Sequence, residues 1–259
     1  MRKEKIEFYS NSHRLAGVIT YPNKLPAPGV ITFHGGTNTK DVCPCFPQIP
    51  DAVVKNGYIN MRFDFFGSGE SDGLFQDKTN AELLQNMKDA IDFFAKNKNV
   101  TKIGIVARSQ SGIQQACLYD ERIICRVVQS PALEIKAVFA YWYPKEFKEF
   151  MENSKEKYLC IKTGDTRKVK GPYCYAREYF EEDAEVKKLA LKTLPKIKNT
   201  LIMQGNEDKE VEADQSFAIY KQLARAKEYH IIDGAGHPYI GYEDRTVELA
   251  IPWLNKFLK

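Results

Sequence analysis

The chain has 259 residues, 38 Lys and Arg against 34 Asp and Glu, and a hydrophobic fraction of 43%. That length supplies one large domain with a full core, and the ordinary apolar and charged fractions exclude disorder, collagen-like repeats and coiled coil as descriptions of the whole. The net charge of +4 is scattered rather than massed, which argues against nucleic acid as a partner, and no apolar run reaches the roughly 18 residues that cross a bilayer.

The opening Met1-Arg2-Lys3-Glu4-Lys5 has no apolar stretch behind it, so no secretory signal is expected and a cytoplasmic location is. In that compartment Cys43, Cys45, Cys117, Cys125, Cys160 and Cys174 are expected to be reduced thiols. Cys43-Pro44-Cys45 lacks a second Cys or His pair to complete a zinc site.

In chain order, Lys5–Tyr9 and Arg14–Tyr21 read as a hairpin around Asn11-Ser12, and Gly29–Phe33 as a short strand running into His34-Gly35-Gly36. Ile49–Asn56 reads as a helix and Tyr58–Phe63 as a strand closed by Gly67-Ser68-Gly69. Leu84, Met87, Ile91 and Phe94 recur at helical spacing within Ala81–Lys96. Lys102–Ala107 (strand), Ser111–Tyr119 (helix) and Ile124–Gln129 (strand) follow. Late in the chain Thr200–Gln204 and Glu228–Ile232 read as strands, and Asp214–Ala224 and Arg245–Leu258 as helices. Such alternation predicts an α/β fold with a mostly parallel sheet, whose ligand site forms at the carboxyl ends of the strands.

Between Ala132 and Leu194 the rhythm breaks, and aromatic residues crowd in: Phe139, Trp142, Tyr143, Phe147, Phe150, Tyr173, Tyr175, Tyr179 and Phe180 among them. The stretch reads as an insertion lying on the sheet, with Tyr158–Thr163 and Gly164-Asp165 as a strand and turn. Its aromatics form either a small core of their own or a pocket wall, for which Trp142, Tyr143, Tyr173 and Tyr175 are the candidates.

Ala107-Arg108-Ser109-Gln110-Ser111-Gly112 joins a predicted strand to a predicted helix. Ser109 is there either a helix cap or a nucleophile presented on a sharp turn, which demands small residues two positions to either side. Ala107 and Ser111 are small but are not the usual glycines. Downstream, Asp208 follows a strand end and His237 lies in the Gly-rich Gly234-Ala235-Gly236-His237 turn. A serine is a poor nucleophile until a histidine takes its proton, and that histidine needs a carboxylate to hold its tautomer. Glu207 and Glu210, flanking Asp208, read as solvated, and His34 as a packed residue bracing its loop.

Arg62-Phe63-Asp64-Phe65-Phe66-Gly67-Ser68-Gly69-Glu70-Ser71-Asp72-Gly73 resembles the R-x-D-x-x-G-x-G-x-S-x-G segment of α/β-hydrolases. More narrowly, it resembles the branch of cinnamoyl/feruloyl-esterase-like and monoacylglycerol-lipase-like proteins. These also carry an H-G-x segment, a nucleophile followed by Gln, G-x-x-D-x-x-V and a late G-x-x-H, matched here by His34-Gly35-Gly36, Ser109-Gln110, Gly205–Val211 and Gly234–His237.

The resemblance implies an α/β-hydrolase core over residues 1–132 and 195–259 with an inserted cap over 133–194. It implies Ser109 as nucleophile, Asp208 as acid, His237 as base, and the Gly36 and Gln110 N–H groups as the oxyanion hole. The expected activity is that of a serine esterase acting on a small-molecule ester of a small or aromatic acyl group, with no cofactor, metal or membrane span and with a homodimer left open. A peptidase, thioesterase or amidase on the same triad, or a hydrolase-fold binding protein that has lost catalysis, are the alternatives. Arg108 stands where that branch frequently has His, and Ala107 and Ser111 where it has Gly.

Overall fold

The computed structural model describes residues 1–42, 48–161, 171–224 and 226–259. β1 (Arg2–Ser10) and β2 (His13–Tyr21) form the expected hairpin. Its two turn residues, Asn11 and Ser12, have φ of 47° and 67°, the left-handed pair that a two-residue hairpin turn needs. Next come β3 (Ala27–Phe33), α1 (Gln48–Lys55), β4 (Ile59–Phe63) and α2 (Asn80–Ala95). The Thr79 hydroxyl starts α2 by accepting from the Glu82 N–H at 3.1 Å.

β5 (Val100–Arg108), α3 (Gln110–Gln114) and β6 (Ile123–Gln129) follow. The helix expected over 111–119 is shorter: α3 gives way to a 3-10 turn at Gln115–Cys117, and Leu118 is already extended. The Leu118 carbonyl is drawn off by the buried Arg126 guanidinium at 2.9 Å.

The described residues of 133–194 form α4 (Ile135–Trp142), α5 (Pro144–Glu152), the two-stranded ladder β7 (Tyr158–Cys160) with β8 (Cys174–Ala176), α6 (Arg177–Glu181) and α7 (Asp183–Thr193). Pro144 ends α4 and opens α5, because it disfavours helical backbone before it and suits the first helical position. Facing each other across the ladder, Cys160 and Cys174 are joined as a disulfide, which corrects the expectation of six free thiols. Nothing in a separation of 14 residues announces that pairing; strand register creates it. Cys117 and Cys125 are free and buried, while Cys43, Cys45 and the Gly164-Asp165 turn lie outside the described residues.

β9 (Thr200–Gly205), α8 (Ala213–Gln222), β10 (Lys227–Ile232) and α9 (Glu243–Leu258) complete the fold. The large sheet has the order β1-β2-β4-β3-β5-β6-β9-β10, with β2 antiparallel to its neighbours and parallel pairing from β4 through β10. Successive residues point to opposite faces. Val30, Val106 and Leu201 pack against α1 and α9, and their neighbours Ile31, Ile105 and Ile202 face the opposite helix layer. Val186 and Ala190 of α7 share a cluster with Ile113 and Ile202, so this last helix of the aromatic stretch covers the sheet directly. Among the described residues no helix is long and apolar enough to cross a membrane.

The loop after β4 is organised by one carboxylate. Asp64 is fully buried and accepts from the Lys40 N–H and ammonium, both at 2.7 Å, and from the Glu70 N–H at 2.9 Å. Gly69 sits at φ 49°, where a Cβ would collide with that carboxylate. Burial pulls the Lys40 ammonium down, but Asp64 and Glu70 outweigh it and its pKa lies above the ordinary value. Asp64→Ala leaves Lys40 with only the exposed Glu70 and Asp41 carboxylates and strips the Lys40 and Glu70 N–H groups of their acceptor, so it should lower the unfolding free energy by about 3 kcal/mol. Urea denaturation would read this as an earlier midpoint.

Candidate active site

β3, β5, β9 and β10 all end on the same rim, and each delivers a piece of the site there. After β5 the chain turns at Ser109 with φ 54° and ψ −120°, a conformation that a residue with a Cβ adopts only under constraint. The constraint is local. The Ser109 N–H donates to Gln129 O at 2.9 Å on the neighbouring strand. The Ser111 hydroxyl accepts from the Arg108 N–H at 2.9 Å and lies 2.9 Å from Phe33 O and Arg108 O, which bolts the turn to the end of β3. The tight approach falls at Gly112, where a Cβ would come within 2.8 Å of Pro131. A serine two residues past Ser109 is therefore a fastening, with the indispensable glycine one position later.

Ser109 occupies the N-cap position of α3, yet its side chain makes no cap hydrogen bond. Its Oγ lies 3.0 Å from His237 Nε2, and His237 Nδ1 lies 2.8 Å from Asp208 Oδ2. Asp208 is buried, and burial alone would raise its pKa. The hydrogen bond and charge of His237 and the Val211 amide prevail, so the carboxyl sits below its ordinary value and is ionised. Its Oδ1 accepts from the Glu210 and Val211 N–H groups at 3.1 and 2.9 Å, and Gln204 Nε2 donates to Oδ2 at 3.2 Å. An ionised Asp208 fixes the tautomer: Nδ1–H donates to Asp208, and Nε2 is free to accept from the Ser109 hydroxyl.

His34 braces the loop after β3. Its Nδ1 donates to Gly35 O at 2.7 Å, and its Nε2 accepts from the Phe65 N–H at 3.2 Å. The Gly35 carbonyl and the Gly36 N–H belong to one trans peptide and point in opposite directions, so the bond to His34 also aims the Gly36 N–H. Gln110 opens α3, and its N–H has no acceptor within the helix. Both residues line the cavity above Ser109.

That cavity encloses about 360 Å³. Of the four aromatics singled out from sequence, Trp142 and Tyr175 line it together with Phe139 and Tyr179. Tyr143 and Tyr173 are not on the described wall: Tyr143 packs against Phe139 and Trp142, and Tyr173 against Phe75 and Tyr175. Phe147, Phe150 and Phe180 are buried behind, with Phe147 and Phe180 5.1 Å apart. The aromatic stretch thus supplies both a core and a wall. Asn80 ties the wall down, donating to Tyr179 O at 2.8 Å and accepting from Gln114 of α3 at 3.1 Å.

Two site residues escape sequence reasoning. Glu210 reads as solvated but is half-buried on the cavity wall, where its Oε2 accepts from Trp142 Nε1 at 3.0 Å. Arg108 is buried, and its Nη2 donates to His237 O at 2.7 Å, pinning the histidine's own backbone. Neither contact leaves a spacing signal, because one partner comes from the aromatic stretch and the other is a main-chain carbonyl.

Burial pushes the His34 pKa down to about 4, against the raising influence of Asp64 and the Gly35 carbonyl. Unfolded, the imidazole takes a proton near the ordinary histidine value of 6.5. Between those values the unfolded chain binds more protons, so this contribution to stability is complete above the upper value and is lost as pH falls toward the lower one, by up to about 3 kcal/mol. Urea midpoints at about pH 7 and about pH 4.5 should show that loss, and His34→Gln should flatten it.

No family model matches the sequence, and no curated protein does. Solved structures do match. Est1E from Butyrivibrio proteoclasticus, with ferulic acid bound, superposes with a TM-score of 0.82 at 19% identity, covering 97% of this chain and 98% of that one. The alpha/beta hydrolase GrgF from Penicillium sp. sh18 gives 0.78 at 14% identity over 100% and 99% of the two chains. The esterase Pf2001 from Pyrococcus furiosus gives 0.74 at 15% identity over 100% and 92%. The chain has the α/β-hydrolase fold.

Proposed function

We propose that this α/β-hydrolase-fold chain is a serine hydrolase that cleaves a carboxylic ester of a small or aromatic acyl group through an acyl-enzyme. The observation that carries this reading is the unbroken row from Ser109 Oγ through the His237 ring to Asp208, opening into an aromatic-walled cavity. In the first step His237 Nε2 takes the Ser109 proton as Oγ attacks the ester carbonyl. Negative charge on the carbonyl oxygen is met by the Gly36 and Gln110 N–H groups, and Asp208 stabilises the imidazolium. The imidazolium then protonates the leaving alcohol. In the second half His237 activates water, which releases the acid and restores Ser109.

In this reading residues 133–194 act as a cap that shapes the acyl or alcohol site, with Trp142, Tyr175, Phe139 and Tyr179 as its contact residues. Solved neighbours described as esterases, and one holding ferulic acid, favour an ester and an aromatic acyl group.

An activated fluorophosphonate should label Ser109, and Ser109→Ala should abolish both labelling and ester turnover, the latter by roughly 10⁴-fold or more. Asp208→Asn should cost a comparable factor while leaving the fold intact. Intact-mass spectrometry and a screen of ester, thioester and anilide substrates read both outcomes. A folded wild-type protein that resists the fluorophosphonate would overturn the proposal.

A further inference from the structure

Glu210 puts a carboxylate on the side of the cavity that carries Phe139, Trp142, Tyr175 and Tyr179, and it is the one acidic residue among the described residues of the lining. Its hydrogen-bond partner, the Trp142 indole N–H, is neutral and cannot cancel the charge. Of the neighbouring acids, Asp208 is already answered by His237, Gln204 and two amides, and Glu207 is exposed. Arg108 also lines this space, where its guanidinium donates to His237 O, while the Glu210 carboxylate is held at Trp142 of α4. Phe139, Trp142 and Tyr175 line the same space with ring systems whose faces attract cations.

We infer that Glu210 makes the cavity over Ser109 selective for substrates whose non-reacting end carries a positively charged nitrogen, and against those ending in a carboxylate. This rests on the esterase reading for its consequence in turnover but not for its consequence in binding. A half-buried carboxylate beside aromatic faces repels a second carboxylate and attracts an ammonium more strongly than a fully solvated carboxylate would. Electrostatics there act on which ester is accepted and leave the chemical step to the triad. The acyl and alcohol sides are both open to this filter, so charge must be varied on each.

The test uses two ester series, one varying the alcohol and one the acyl chain. In each, the far end is a trimethylammonium, a tert-butyl or a carboxylate group. In at least one series kcat/KM should fall in that order, with the ammonium ester favoured over the carboxylate ester by about tenfold or more. Glu210→Gln keeps an acceptor for the indole N–H, and it should bring that ratio close to one. In parallel, calorimetry with tetramethylammonium and with acetate should show binding of the cation alone, weakened in Glu210→Gln. Equal turnover of the ammonium and carboxylate esters in both series, or an unchanged ratio in Glu210→Gln, overturns the inference. Should that variant fail to fold, the wild-type ratios decide alone. A chain that turns over no ester yet binds the cation selectively would sink the esterase reading and leave the charge filter standing; turnover without charge preference would do the reverse.

Discussion

The backbone of Ser109 is held where a side-chain-bearing residue resists going, at a cost of about 1–3 kcal/mol, and the rest of the site depends on that constraint. With the extended backbone usual at an N-cap, as at Thr79, the hydroxyl would be free to cap α3. Twisted out of that region, it is presented to His237 instead. Three rigid features hold the twist: the bond from Ser109 N–H to β6, the Ser111 hydroxyl reaching the end of β3, and the contact of Gly112 with Pro131. Each comes from the end of a parallel strand, so the central sheet itself sets the geometry.

Charge is handled differently at each buried group, and the differences fit the proposed roles. Asp208 is ionised and receives hydrogen bonds on both oxygens, which suits a group meant to steady an imidazolium. His34 is equally buried but neutral, because burial penalises the charged ring and its Nε2 already accepts from the Phe65 N–H, leaving a second proton no acceptor. Asp64 is matched by Lys40 and remains a purely structural charge. Glu210 alone in this region lines the open cavity with a neutral side-chain partner, and for that reason the burden of selectivity falls on it.

What sequence reveals here follows the range of the interactions. The helix spacing of Leu84, Met87, Ile91 and Phe94, and the small residues around Ser109, are local and survive in the string of letters. So does the order Ser109, Asp208, His237, since each sits just past a strand that is itself legible. The aromatic stretch is opaque because one residue type does two jobs: Phe180 fills a core and Tyr179, its neighbour, faces the cavity. The Cys160–Cys174 bond depends on ladder register, and the Arg108 contact ends on a carbonyl; neither partner is named by its residue type. Glu210 misleads for a further reason. A charged residue in a loop is solvated unless something folds over it, and α4, which does so, lies some 70 residues earlier in the chain.

The departures at Arg108 and Ser111 also bear on whether the elbow is a working one. Loss of function relaxes the demand for strain, and a relaxed turn would let Ser109 fall back to an ordinary helix start. The opposite is present: Ser111 adds hydrogen bonds that a glycine could not make, and Arg108 reaches across to fix the backbone of the very histidine that faces Ser109. Both side chains add contacts that hold the turn, and Arg108 ties the residue before Ser109 to the backbone of His237, as the proposed roles of nucleophile and base require. A hydroxyl held under strain 3.0 Å from an imidazole nitrogen is the pre-organisation that the proposed acyl transfer requires before substrate arrives.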